Sequence, residues 1–440
     1  MLLLRHKINA MARSSFSKLR VTGFFSIVGT SVLNRIVQFV SGMILVRVLS
    51  KSDYGAYSYA LNIINYFILF NGLGAASCVV QFCVEQKSEH FAEEVYRVIC
   101  WIGIVWDVLL TLSIVLVGCF VDLPMAGANE LLLYLAPFPF FTLLVDLQQQ
   151  RLRSQFRTQQ YAWATNLNSV LVVMCSVVGA LIASSIGLSV GRSIAMALSV
   201  AMVFVIFHVG VFARPASLAK NLIVDVVKMS TTVCLSNAVS QALMLVGTSL
   251  IGTMLASPES TATYSTATTI PFALAFIPSM VVTYVLPYFV KNAHDRNWVI
   301  RYWLICSGVV LIVSSIICIT CIALSGELIP FIFGNQYSDA VPSFCVLMVA
   351  FAVASPFRTV SGNILSSHRR YAFNLVSNAL SLIICVGVSY LALPRYGAIG
   401  AAFGYLAAMI VGSVMNTVGV LVYGGRPKQS IALGARDSER

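Results

Sequence analysis

The chain has little charge for its length. Asp, Glu, Lys and Arg together make up 10% of its 440 residues, whereas apolar residues make up 58%, and the mean hydropathy is +0.87. A soluble protein of this size cannot bury that much apolar surface, so the composition excludes a soluble globular fold and indicates a polytopic membrane protein. The net charge of +12 does not indicate nucleic-acid binding, because Lys and Arg collect in the cytoplasmic loops of membrane proteins.

Sequence features of several other protein classes are missing. There is no P-loop, so ATP is not the direct source of energy. The five histidines have no metal-ligand spacing, and the single CxxC pair, Cys318 and Cys321, lies in an apolar segment without a second pair. We therefore predict no metal and no cofactor. The longest outer loop, at 326–342, leaves no room for a folded periplasmic domain.

Long apolar runs are what the chain does contain. Each is long enough to cross a bilayer at about 1.5 Å per residue, and we predict twelve spans. Their approximate limits are 21–46, 54–80, 97–120, 130–150, 161–185, 190–211, 226–256, 264–290, 299–324, 341–365, 372–393 and 398–422.

Basic residues divide unevenly between the two sets of loops. With twelve spans both termini lie on one side, and a cytoplasmic N-terminus places 22 of the 28 Lys and Arg residues on the cytoplasmic side. This bias predicts that both termini are cytoplasmic. The four basic residues assigned to the outer loops are Arg47, Lys51, Arg192 and Arg395. A cysteine at position 192 should therefore react with an external reagent, and one at position 296 should not.

Two short matches indicate an internal repeat. The tetrapeptide 57–60 that opens the second span resembles 264–267 in the eighth, and 160–163 in the fifth resembles 370–373 in the eleventh. The offsets, 207 and 210 residues, both correspond to six spans, which predicts parallel repeats about an axis along the membrane normal.

The predicted fold is thus all-α, with two six-helix bundles related by a parallel pseudo-two-fold repeat. The predicted parts are a cytoplasmic tail (1–20), an N-terminal bundle (21–213), a cytoplasmic linker (214–228), a C-terminal bundle (229–422) and a cytoplasmic tail (423–440).

Four ionisable residues lie within or near the spans: Arg35, Arg358, Asp107 and Asp146. A charge inside a bilayer is costly, so each is expected to face protein or a water-filled cavity and is a candidate functional residue. The two arginines lie in different halves and suit a pyrophosphate, because a guanidinium presents a fork of donors. The alternative is that each arginine pairs with one of the acids as a structural contact. Asp107 is the deeper acid and a candidate proton site, whereas Asp146 is also consistent with an anchor at the inner interface.

A cluster of three arginines, Arg151, Arg153 and Arg157, follows the fourth span. Two interpretations remain open. The cluster is either the ordinary positive charge of a cytoplasmic loop or an electropositive mouth that attracts a phosphate headgroup.

Several segments together resemble a known family. Four of them resemble, in the same order, segments of Wzx-type polysaccharide and O-antigen flippases. They are the turn RVLSKSDYGAYSYA, the loop LQQQRLRSQFRTQQYA, the stretch ATYSTATTI and the segment LIPFIFGNQYSDAV. That family belongs to the multidrug/oligosaccharidyl-lipid/polysaccharide exporter superfamily. The last two spans also resemble it, so the resemblance covers nearly the whole chain.

The resemblance implies two six-helix bundles that form a V around a central cavity. It implies a flippase of the bacterial inner membrane that moves undecaprenyl-pyrophosphate-linked oligosaccharide, an O-antigen or exopolysaccharide repeat unit, outward by alternating access. The implied partners are this lipid-linked substrate, the bilayer, a polysaccharide polymerase and a chain-length regulator. An H⁺ or Na⁺ gradient, a substrate gradient or downstream removal of the product would drive transport.

Two other functions compete with this interpretation. An ion-coupled drug or small-molecule exporter on the same fold predicts acids rather than arginines in the cavity, and the first span offers Arg35 and no acid. A membrane enzyme such as a polysaccharide polymerase or ligase has similar hydropathy but would be expected to carry a substantial outer loop with catalytic groups, which is missing here. We therefore favour a flippase.

Overall fold

A computed structural model describes residues 24–84, 88–211, 220–368 and 370–425. The predicted tail 1–20, most of the tail 423–440 and residues 214–219 of the predicted linker lie outside the described residues. Within the described ranges the fold is helical and contains no strand. Ten helical segments there are long and apolar enough to cross a membrane. The chain is thus a multi-pass membrane protein, as predicted, although the count of twelve spans is not confirmed.

The structure divides into two compact units, Met1–Ala238 (unit 1) and Val239–Arg440 (unit 2). The division falls inside a helix that begins at Lys220 and ends at Met254. The end of the predicted linker 214–228 is therefore helical.

Unit 1 is built around a broken second helix and a long C-terminal hairpin. Its first helix, α1, packs mainly against α7, whereas α3 packs against both α4 and α6. The helices of unit 1 are α1 (Phe24–Val48), α2 (Lys51–Ile68), α3 (Ala75–Val84), α4 (Glu89–Phe120), α5 (Ala128–Leu135), α6 (Phe138–Ser154), α7 (Thr158–Phe207) and the first part of α8 (Lys220–Met254).

Helix α7 is in fact two helices that fold back on each other. The helix breaks at Ala183 and Ser184, whose φ/ψ angles are −142°/36° and 50°/−132°. Beyond the break, the backbone of Gly187 packs directly against that of Gly179. The predicted fifth and sixth spans therefore meet in a tight turn of small residues with no loop between them.

This hairpin corrects the placement of Arg192. The sequence assigned this residue to an outer loop, but it lies eight residues beyond Ser184, about two turns inside the returning helix. The prediction failed because the turn is too short to interrupt the apolar run. Its side chain is half-buried, whereas Ala183 is exposed at the turn.

Unit 2 ends in a similar hairpin. Its last two helices, α15 and α16, pack along each other, and α16 also packs against α13. A 3₁₀ turn (Asn335–Ala340) precedes α13, and a π-helical turn (Ser355–Val360) follows it. Besides the remainder of α8, the helices are α9 (Pro258–Leu274), α10 (Phe276–Lys291), α11 (Arg296–Ala323), α12 (Ser325–Phe333), α13 (Val341–Ala354), α14 (Ser361–Ser367), α15 (Tyr371–Tyr396) and α16 (Ala398–Tyr423).

Local geometry repeats between the units at the starts of α2 and α9. The Ser50 hydroxyl accepts the N–H of Asp53 at 3.0 Å, and the Ser257 hydroxyl accepts that of Ser260 at 3.2 Å. These N-caps satisfy otherwise unpaired donors in the first turn of each helix. The two caps are 207 residues apart, which agrees with the offset predicted from 57–60.

The hairpins repeat at an offset of 213 residues, not the predicted 210. Ser184 and Gly397 both turn the chain with nearly the same angles, 50°/−132° and 59°/−141°. The close contact of Gly179 with Gly187 recurs between Ala392 and Gly400. A shift of three residues is close to one helical turn and roughly preserves the helix face, which is why the match at 160–163 looked convincing in sequence.

Candidate functional site

The π-helical turn of unit 2 positions Arg358. Pro356 lies inside this turn and has no backbone N–H, so the regular helical hydrogen bonding is interrupted there. The Arg358 carbonyl accepts the Ser361 N–H and also a hydrogen bond from Asn416 Nδ2 at 3.1 Å. Gly412 lies next to the side chain, where an added Cβ would come within 2.9 Å of Arg358 Nε. The turn and this glycine together hold the guanidinium between the helices of unit 2.

The guanidinium of Arg358 has polar but no acidic contacts in its unit. Its Nη2 donates to Asn378 Oδ1 at 2.9 Å, and its Nη1 lies 3.7 Å from the Met409 sulfur. Asn378 in turn donates to Ser240 Oγ at 2.8 Å. The Nε of Arg358 is buried without a hydrogen-bond acceptor. No ion pair joins Arg358 to a described carboxylate of unit 2, so its charge is available to an anion.

A cavity of about 80 Å³ opens beside this guanidinium. Thr359 and Tyr405 line it together with Arg358, and the rest of the wall is mostly apolar, including Phe272 and Met409. No acidic residue lines it. The cavity is therefore positive and can accommodate an anionic group of a ligand.

Unit 1 places an acid, Asp107, at a helix break. Helices α2 and α3 are separated by a 3₁₀ turn, Asn71–Gly74, in which Gly72 and Leu73 have φ angles of 54° and 50°. The fully buried Asp107 carboxylate accepts the Gly72 N–H at 2.6 Å. In the amide orientation that satisfies both of its ends, Asn71 also donates to this carboxylate and accepts the Leu143 N–H at 3.3 Å. Asp107 therefore supplies the acceptor that the interrupted helix lacks.

Asp146 lies close to Asp107 but has different surroundings. It is half-buried on α6, which packs against α4, the helix of Asp107. No described residue donates a hydrogen bond to it or forms an ion pair with it. Unit 1 therefore holds two neighbouring carboxyl groups, one hydrogen-bonded and one available to a proton or a small cation.

Arg35 lies on α1 with an exposed side chain in unit 1. It has no hydrogen bond or ion pair with any described residue. Its exposure differs from that of Arg358, which is half-buried. The structure therefore brings Asp107 and Asp146 together within unit 1, but neither of them pairs with Arg35.

The three arginines after the fourth span have different environments. Arg151 is only 5% exposed; its Nη2 lies 2.7 Å from Glu93 Oε2, and its guanidinium stacks on Tyr96 at 5.2 Å. Arg153 is exposed and lies over the Tyr161 ring, and Arg157 is half-buried. Arg151 thus joins α6 to α4, which leaves Arg153 as the accessible member of the cluster.

Arg192 is a candidate that sequence reasoning missed. Its Nη1 donates to Tyr57 OH at 2.8 Å, its guanidinium lies 5.0 Å from the Phe138 ring centroid, and its Nε has no acceptor. It forms no ion pair with a described acid of unit 1. The sequence does show an arginine within an apolar segment. It was not considered as a site residue because position 192 was assigned to an outer loop.

A family model described as polysaccharide biosynthesis protein matches residues 21–293. In sequence, no curated protein is significantly similar to the chain.

Solved structures resemble the whole chain at low sequence identity. An inward-facing multidrug resistance MATE family transporter of the MOP superfamily has a TM-score of 0.72 and 12% identity, with 91% of this chain and 96% of that chain covered. The lipid II flippase MurJ in an inward closed conformation has a TM-score of 0.72 and 17% identity, with 90% of this chain and 87% of that chain covered. A MOP superfamily transporter from Pyrococcus furiosus has a TM-score of 0.60 and 13% identity, with 93% of this chain and 94% of that chain covered. These similarities establish the helical fold of that superfamily.

Proposed function

The chain belongs to the polysaccharide biosynthesis protein family, and from this premise we propose that it is a flippase for a lipid-linked oligosaccharide. The substrate is an undecaprenyl-pyrophosphate-linked O-antigen or exopolysaccharide repeat unit, which the protein moves across the bacterial inner membrane by alternating access. Its termini are cytoplasmic, and a polysaccharide polymerase and a chain-length regulator act with it.

One observation supports this substrate class above all: the guanidinium of Arg358 lies inside unit 2 beside a cavity and has no acidic partner there. A half-buried guanidinium without a carboxylate beside it is costly within a membrane unless an anion compensates its charge for part of the working cycle. A pyrophosphate supplies such an anion, and its oxygens match the donor fork of arginine. Arg35 and the accessible Arg153 would add positive charge along the route of the headgroup.

The acids of unit 1 suit the coupling step. In our proposal, Asp107 and Asp146 bind H⁺ or Na⁺, and occupancy of this pair changes the hydrogen bonds that hold the break at Asn71–Gly74. A helix break is a natural place for such a change, because few residues there absorb a large change in backbone angle. Transport would then draw on an ion gradient.

Complementation tests the proposal. In a bacterial strain whose own O-antigen flippase is deleted, the wild-type chain is expressed together with the glycosyltransferases for a matching repeat unit, and surface polysaccharide and membrane abundance are both measured. We expect the wild type to restore surface polysaccharide. Arg358→Ala and Arg35→Ala should abolish export at normal abundance, and Arg358→Lys should export poorly because it keeps the charge but loses the fork.

The controls distinguish a transport defect from misfolding. Arg395→Gln, at an exposed arginine in the last turn of α15, should export normally. A structural role for Arg358 predicts instead that Arg358→Ala lowers membrane abundance and that the surviving protein exports at the wild-type rate. Normal export by both alanine variants would contradict the cationic mechanism.

A second function, ion-coupled export of a cationic drug or small molecule, is favoured by one observation: the neighbouring acids Asp107 and Asp146. This function predicts that the wild-type chain raises drug resistance in a pump-deficient strain and that Asp146→Asn removes the resistance. It also predicts no restoration of surface polysaccharide, so the two functions give opposite results in the complementation experiment.

A further inference from the structure

A groove on unit 2 lies apart from every residue assigned to transport. It follows one face of α11 over its first turns and ends against Leu421 in the last turn of α16. Its volume is about 590 Å³. We call it the α11 groove; its residues on α11 are Arg296, Asn297, Ile300, Arg301, Leu304 and Ile305.

The α11 groove is polar at one end and apolar along the rest of its length. Arg296 and Asn297 lie in the first turn of the helix, and Arg301 follows one turn later. Leu304 and Ile305 come next and are 57% and 52% exposed. Because α11 rises about 1.5 Å per residue, cations give way to an exposed apolar surface within about two turns. This gradient matches that of a membrane from its headgroups to its acyl chains.

The positive end of the groove is not neutralised. Arg296 Nη2 donates to the Leu421 carbonyl at 2.9 Å, a contact that fixes the side chain without compensating its charge. Arg301 has no hydrogen bond or ion pair with any described residue. The nearby Asp295 caps α11 by accepting the Trp298 N–H at 3.0 Å and does not line the groove. An anion bound between the two guanidinium groups would therefore meet no acidic lining residue.

Aromatic residues mark the same level of α11 as the membrane interface. The rings of Trp298 and Tyr302 stack at 4.4 Å, and Phe289 packs edge-on against Trp298 at 5.4 Å. Trp and Tyr concentrate at the depth of the lipid headgroups. The guanidinium groups of Arg296 and Arg301 thus lie where lipid phosphates are found.

We propose that the α11 groove binds an anionic phospholipid. Its phosphate contacts Arg296 and Arg301, and an acyl chain lies along Ile300, Leu304 and Ile305. Basic pockets at the ends of membrane helices select anionic headgroups by charge, and a zwitterionic lipid brings its own cation to the same site. The bound molecule is a membrane lipid and not a soluble phosphate, because most of the groove is apolar.

Lipid binding to the full-length chain tests this proposal. The purified, delipidated protein is titrated with phosphatidylglycerol or with phosphatidylcholine of the same acyl chains, and bound lipids are counted by native mass spectrometry. The wild type should bind the first phosphatidylglycerol more tightly than the first phosphatidylcholine. Arg296→Gln and Arg301→Gln should each weaken phosphatidylglycerol binding about fivefold, since each cation near the surface contributes on the order of 1 kcal/mol.

The matched control is Arg395→Gln, which removes an exposed arginine from the last turn of another helix and should keep the wild-type preference. Thermal unfolding of each variant checks that it is folded. The proposal is overturned if the wild type shows no preference for phosphatidylglycerol, or if Arg395→Gln weakens binding as much as Arg301→Gln. Competition by inorganic phosphate at the lipid's own affinity would also overturn it, because the apolar part of the groove would then contribute nothing.

Discussion

Units 1 and 2 carry interior charges of opposite sign on helices that do not correspond to each other. At the offset of 207 residues, the buried Asp107 of unit 1 corresponds to Ser314 of unit 2, which is also buried but uncharged. Arg358 of unit 2 lies in a π-helical turn, and α6, the helix that precedes the hairpin of unit 1, has no such turn. A shared backbone framework therefore leaves the sign of the interior charge to a few side chains. We infer a division of labour in which unit 1 holds the cation and unit 2 contacts the anionic substrate.

The largest expected effect comes from making unit 1 resemble unit 2 at Asp107. Asp107→Ala removes the acceptor of the Gly72 N–H, and an unpaired buried donor costs about 1–3 kcal/mol, so membrane abundance should fall. Asp107→Asn keeps an acceptor oxygen but cannot ionise, and we expect normal abundance with export reduced at least tenfold. Surface polysaccharide per unit of membrane protein is the measurement.

Ser314→Ala is the control for this comparison, because it changes the corresponding residue of unit 2. We expect it to export at the wild-type rate. Normal export by Asp107→Asn would show that the acid only holds the helix break, and the proposed division of labour would fail.

A smaller effect is expected at the ion pair between Glu93 and Arg151. The corresponding residues of unit 2, Ile300 and Ile364, pack in one apolar cluster. Because Glu93 is 38% exposed, solvent screening limits the cost of breaking the pair, and Arg151→Ile should destabilise the protein by about 1–2 kcal/mol. The double variant Glu93→Ile/Arg151→Ile should recover most of this loss, because replacing both partners leaves no buried charge unpaired.

Thermal unfolding of the purified single and double variants measures this coupling. If Arg151→Ile and the double variant lose equal stability, two isoleucines cannot replace the ion pair of unit 1 as they do at the corresponding positions of unit 2. Export by a folded double variant tests whether the arginine cluster acts as an electropositive mouth for a phosphate headgroup. If export is lost at full stability, the substrate needs the positive charge of Arg151.

The smallest effect is expected at His368, which corresponds to Gln155 of unit 1. His368 is buried after α14; its Nδ1 lies 2.9 Å from the Ile364 carbonyl, and its Nε2 accepts the Gly425 N–H at 3.2 Å. Burial lowers the pKa of His368, and this effect outweighs the backbone contacts with Ile364 and Ala293, which raise the pKa. Only a neutral ring donates to one partner and accepts from the other.

The folded state therefore binds a proton to His368 less readily than the unfolded state does. The contribution of His368 to stability is fully present above its ordinary pKa of about 6.5 and falls as the pH drops through that value. We expect the wild type to lose more thermal stability than His368→Gln between pH 7.5 and pH 5.5. An identical loss in both proteins would assign the acid sensitivity to other groups.

The comparison also separates what the sequence predicted from what it did not. Composition and long apolar runs predicted a helical polytopic membrane protein, and segments such as the turn at 47–60 correctly indicated the family. These properties depend on residue type averaged over long runs, which a sequence shows directly. The repeat at offset 207 was found from the match between 57–60 and 264–267. The caps of Ser50 and Ser257 agree with it, and each depends on a contact only three residues away.

Tertiary structure alone decided which charges meet. Asp107 accepts a backbone N–H from Gly72, 35 residues away, and Arg358 reaches Asn378 on another helix. Sequence spacing within one helix carries no information about such partners, because they depend on how neighbouring helices pack. The sequence identified both residues as costly charges in a membrane. Only the packed helices show that one of these charges holds a helix break and that the other is left facing a cavity without an acid of its own unit.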